Sequence, residues 1–271
     1  MEVQWALVMF TVVSGAGAWL FAWSTVQALA KRGSLPTDVE SAVSFVLLAV
    51  GGCLSVLHLK HVDRIFEALN HPTSGIFVEA AMIGIACVLV ALYFVLLKRG
   101  SGEGVRKGVA SAAAVVGIAF SFACGESYMM DARTAWMSYL LPLGYCATAA
   151  ALGAAVNMVI KARARVSEDV LSFSGVLTAV AGAAALLVSV AYGVQVSSYV
   201  GAAGAIFPAA GAAVGCAVAA AAGFWAAKRP SNVLAAGAVA ICASAFGAIA
   251  LRVLMWLIGT PLMNFFLMPL D

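Results

Sequence analysis

The chain reads as eight long apolar runs separated by short polar breaks. The runs lie at about 5–30, 41–59, 75–97, 108–129, 137–160, 170–192, 206–226 and 232–259. Each is close to the roughly 20 residues that an α-helix needs to cross a hydrocarbon core. The breaks carry turn and charge signals, as in Lys31-Arg32-Gly33-Ser34-Leu35-Pro36 and Lys228-Arg229-Pro230-Ser231. No break is long enough to fold by itself. The pattern predicts an all-α integral membrane protein: residues 1–271 form one polytopic domain, a bundle of eight transmembrane helices.

Composition agrees with that reading. Hydrophobic residues make up 64% of the chain and charged residues 10%, and the mean hydropathy is +1.04. A soluble domain of this size needs more charge on its surface. A net charge of +3, without a basic tract interleaved with aromatics, gives no reason to expect nucleic acid. The first run follows Met1-Glu2-Val3-Gln4 without a positive stretch or a small-residue cleavage site, so a retained helix is expected there rather than a signal peptide. Cys53, Cys87, Cys124, Cys146, Cys216 and Cys242 lie singly, without the spacing of a zinc or iron–sulfur site.

The basic residues predict an orientation. Eleven Lys and Arg fall in the odd-numbered connections, against Lys60, Arg64 and Arg133 on the other side, with Arg252 inside the last span. Both termini are then expected on the extracytoplasmic side, with Trp5, Trp136 and Trp256 at the outer interface and Trp225 at the inner one. Gly211-x-x-x-Gly215 in the seventh span signals close helix packing.

Ionisable groups in lipid are costly and need a reason. Threading the topology gathers them near the outer surface: His58 ends the second span, and Lys60, His61, Asp63, Arg64, Glu67 and His71 fill the connection after it. Glu79 lies about one turn inside the third span, Glu126 near the end of the fourth, and Arg252 about two turns below the end of the eighth. The inner half of every span is read as nearly free of charge. This layout suits a lipid-soluble donor that sheds protons near the outer surface, such as a quinol. A neutral His and a carboxylate are natural acceptors for its hydroxyl protons, and Arg64 and Arg252 could steady a developing oxyanion. All three histidines stand in one short stretch, which does not suit haem ligation across a bundle. Electrons would then pass directly to a partner docked on the outer face.

Several stretches resemble the membrane anchor subunit of the dimethyl sulfoxide reductase family. They are Trp5-Ala6-Leu7-Val8-Met9-Phe10-Thr11, then Leu57-His58-Leu59 followed by Arg64-Ile65-Phe66-Glu67-Ala68-Leu69-Asn70, then Val78-Glu79-Ala80. Trp136-Met137-Ser138-Tyr139 with Pro142-Leu143-Gly144, and finally Arg252, complete the resemblance. Lys60-His61 departs from the Gly and small residue that the family commonly carries there. The resemblance implies a haem-free anchor of eight helices in the cytoplasmic membrane of a prokaryote, with no metal or covalently bound cofactor. It implies oxidation of menaquinol from the quinone pool. It also implies electron transfer to a four-cluster ferredoxin-like iron–sulfur subunit that feeds a molybdopterin catalytic subunit. Carried over by position, the quinol-site histidine is His58, the acidic residue of the next helix is Glu79, and the arginine after the histidine is Arg64.

Plainer readings stand beside these. His58 could cap carbonyls at a helix end, Arg64 could snorkel to the interface, and His61 and His71 read as solvated loop residues. Arg252 is expected to form a structural ion pair with Glu79 or Glu126. Other functional classes are a secondary transporter, a passive tether that never touches quinone, and a polysulfide-reductase-type anchor with the same helix count. A transporter would place its polar site near the midplane on broken helices in matched halves, and the sequence has no such pair.

Overall fold

The structure, a computed structural model, describes residues 2–57 and 73–259. Eight of its helices are long and apolar enough to cross a membrane, and no strand occurs among the described residues. They are α1 (Trp5–Leu29), α2 (Asp38–Val56), α3 (Gly75–Lys98), α4 (Glu103–Glu126), α5 (Leu140–Arg163), α6 (Glu168–Gln195), α8 (Ile206–Lys228) and α9 (Val233–Ile258). A six-residue helix, α7 (Ser197–Ala202), occupies the connection after α6. Hydropathy misses it because six residues are too few for a span. Polar first turns extend two helices beyond their apolar runs. α2 begins at Asp38 rather than 41 because Thr37 and Glu40 close a capping box. α4 begins at Glu103 rather than 108.

The helices form two rings of four. In the first, α1 packs on α2, α2 on α3, α3 on α4, and α4 back on α1. In the second, α5 packs on α6, α6 on α8, α8 on α9, and α9 back on α5. The rings meet where α1 and α4 pack on α5 and α1 touches α9. Lipid offers no hydrophobic force between helices, so association rests on close fit and interhelical hydrogen bonds. Small residues provide the fit. A Cβ added at Gly215 would lie 2.6 Å from the Ala243 oxygen of α9, and one at Gly223 would lie 2.4 Å from the Ala179 nitrogen of α6. The expected Gly211-x-x-x-Gly215 packing face is therefore present, on α9. Gly223→Ala is expected to push α6 and α8 apart and destabilise the bundle by about 1–3 kcal/mol. Thermal unfolding in detergent against the parent chain measures this.

One end of the bundle carries most of the Lys and Arg and is called the basic end below. There the structure corrects the expectation that the inner half of every span is nearly free of charge. Glu40 and Lys161, at the ends of their apolar runs, lie within α2 and α5 and turn inward, both fully buried. Lys161 Nζ stands 2.9 Å from Glu40 Oε1. Ser24 of α1 donates to the same oxygen at 2.9 Å, and Asn157 of α5 donates to it at 3.1 Å and to Ser24 Oγ at 2.8 Å. Thr37 donates its N–H and its hydroxyl to Glu40 Oε2, each at 2.8 Å. One carboxylate thus clasps α1, α2 and α5, spanning both rings.

Candidate functional site

At the opposite end, polar groups gather where the rings meet. Arg252 of α9 lies about 9 Å below the end of its helix and is fully buried. Its Nε donates to Thr11 Oγ1 of α1 at 2.7 Å, and its Nη1 donates to Thr148 Oγ1 of α5 at 3.2 Å and to the Ala248 carbonyl at 2.9 Å. The guanidinium carbon sits 4.1 Å from the centroid of the Tyr145 ring, within cation–π range. The expected ion pair with Glu79 or Glu126 is not formed: among the described residues no carboxylate lies within ion-pair distance of Arg252. Hydroxyls and a ring face solvate this cation instead. Glu126 is exposed at the end of α4.

Glu79 is placed by a close helix contact. Gly75 opens α3, and a Cβ there would come within 2.7 Å of Ser127 Cβ, just past α4. Glu79 is one turn on, on the same face, and Ser127 donates its hydroxyl to Glu79 Oε1. The carboxylate is half-buried, between α3 and the end of α4.

Aromatic rings fill the space between Glu79 and Arg252. Tyr128 stands 5.8 Å, centroid to centroid, from each of Trp136, Tyr145 and Trp256, and Trp136 and Trp256 meet edge-on at 5.5 Å.

Trp136 and Trp256 were expected among the headgroups, but both are buried in the bundle. The connection from α4 to α5 folds back over this end. Trp136 Nε1 donates to the Met255 carbonyl at 2.8 Å, Tyr192 donates to the Ala135 carbonyl at 3.1 Å, and Ser138 donates to Gln195 Oε1 at 2.6 Å. Arg133 donates to the Gly259 carbonyl and lies over the Trp136 ring. The Trp256 indole N–H is buried, with no hydrogen-bond partner among the described residues.

Of the four residues expected at the site, the structure describes Glu79 and Arg252 and brings both to this cluster. His58 and Arg64 lie outside the described residues, as do His61 and His71. Sequence reasoning missed Thr11, Ser127, Tyr128, Tyr145 and Thr148. The usable signal was two threonines at matched depth in apolar runs and aromatic residues at one end of four spans. Among the described residues no group of three or more His, Cys, Asp or Glu side chains is placed to hold a metal ion.

Fold and cluster together define a multi-pass helical membrane protein with a polar, aromatic-lined junction at one end of its bundle. A family model described as DMSO reductase anchor subunit (DmsC) matches residues 1–210. The chain belongs to that family, and is a membrane anchor subunit of a DMSO reductase-type complex. The match ends inside α8, so Arg252 and Trp256 lie beyond it. A search of curated proteins found no match.

Proposed function

We propose that this anchor oxidises menaquinol at the junction of its two helix rings and passes the electrons to an iron–sulfur subunit docked on that end. The observation that carries the reading is Arg252: a buried cation with no carboxylate partner among the described residues, facing the aromatic cluster beside Glu79. A buried arginine in lipid needs a reason, and three helices hold this one in place without cancelling its charge.

Quinol oxidation releases two protons and two electrons. As the hydroxyl loses its proton, charge develops on oxygen, and a preorganised cation stabilises that charge most where water is excluded. Glu79 would accept a proton, and Ser127 orients the carboxylate. His58 would accept the other proton, and Arg64 would help hold the donor. The rings of Tyr128, Trp136 and Trp256 suit the flat headgroup. The excess of Lys and Arg at the other end favours placing this site extracytoplasmically, where the iron–sulfur and molybdopterin subunits would stand.

The test is a titration of the purified complex with a quinol analogue, read as quenching of the Trp136 and Trp256 fluorescence. Saturable quenching is expected, and Arg252→Met should weaken it about tenfold, the loss of one charged hydrogen bond. Thr11 and Thr148 already bond carbonyls of their own helices, so the variant should still fold. Undiminished affinity in Arg252→Met, with the complex intact, would remove Arg252 from the site.

A further inference from the structure

The basic end carries a feature that quinol chemistry leaves unused. A cleft of about 570 Å³ opens between the connection from α1 to α2, the end of α3 and the start of α4. Leu35, Val39 and Leu97 give it an apolar side, and Arg106 and Lys107 give it a basic one. Two acidic residues also line it, Asp38 and Glu103. Asp38 is taken up by an ion pair with Lys98, which leaves two cations against one carboxylate. Arg106 is half-buried, and its Nε is shielded from solvent with no hydrogen-bond partner among the described residues. A shielded charged donor is costly until an acceptor reaches it.

We propose that this cleft binds the phosphate of an anionic phospholipid headgroup. An anionic oxygen would satisfy Arg106, and Lys107, exposed beside it on the first turns of α4, would complete the charge match. The apolar side suits the glycerol and upper acyl carbons. Basic pockets between helices at a membrane surface take anionic headgroups on these terms. A free phosphate ion would meet the same cations but leave the apolar side bare.

Native mass spectrometry of the full chain in detergent, titrated with phosphatidylglycerol, phosphatidylcholine or inorganic phosphate, tests the assignment. Phosphatidylglycerol is expected to bind in preference to phosphatidylcholine, and millimolar inorganic phosphate should not displace it. Each lost charge should weaken binding about five-fold. Lys107→Gln, at an exposed position, reports this without risk to the fold, and Arg106→Gln combined with it should weaken binding further. Arg163→Gln, at the same end but away from the cleft, should leave binding unchanged. The proposal is overturned by equal binding in the double variant, by equal affinity for phosphatidylcholine, or by displacement with inorganic phosphate.

Discussion

Replacing Glu40 with methionine is expected to destabilise the bundle by about 3–5 kcal/mol, the usual cost of removing one member of a buried ion pair. The change leaves the Lys161 amine without its carboxylate, at 3% side-chain exposure. It also strips the acceptor from Ser24, Asn157 and Thr37 at once. Lys161→Met should cost less, because Glu40 keeps four donated hydrogen bonds. The double variant should recover part of the loss, since a paired charge replaced by apolar packing is often near neutral. It should not recover all of it, because the Thr37 N–H and hydroxyl lose Glu40 Oε2, while Ser24 and Asn157 fall back on the Leu20 carbonyl and on Ser24 Oγ. Unfolding midpoints of the four proteins in one detergent close the cycle. Equal midpoints for the parent and Glu40→Met would show that the clasp does not hold the rings together.

The helix count is legible because hydropathy over about 20 residues needs no knowledge of a neighbour. What it reports is depth along the bundle normal, and it is silent on which way a side chain turns. Glu40 and Lys161 stand at the ends of apolar runs and read as loop charges, yet they face inward on adjoining helices. Trp136 and Trp256 read as headgroup anchors, yet they pack on Tyr128 in the interior. Arg252 was recognised as an intramembrane cation, but a carboxylate partner was expected where two threonine hydroxyls and a tyrosine ring stand. In each case the missing information is azimuthal, and it is fixed only when α1, α2, α5 and α9 dock. The same docking explains why both polar clusters lie where the rings meet. Apolar faces can turn to lipid, whereas a buried polar group must find its partner on another helix.

The largest functional effect is expected from Glu79→Gln. Glutamine keeps the shape of the side chain and an oxygen to accept the Ser127 hydroxyl, so the contact of α3 with the end of α4 should survive. It removes the capacity to take a proton. If Glu79 receives a quinol proton, quinol-dependent turnover should fall by about 10²–10⁴-fold, the range for loss of a general base. Turnover with an artificial dye that bypasses the anchor should be unchanged in the same preparation. The ratio of the two rates cancels differences in assembly. A purely structural Glu79 predicts the reverse: less assembled complex, with both rates falling together and their ratio fixed. Ser127→Ala separates the roles further. It leaves the carboxylate able to titrate but less well oriented, so its effect on the ratio should be smaller than that of Glu79→Gln. Should Ser127→Ala lower the ratio as far as Glu79→Gln does, the hydroxyl rather than the carboxylate would be the group the reaction needs.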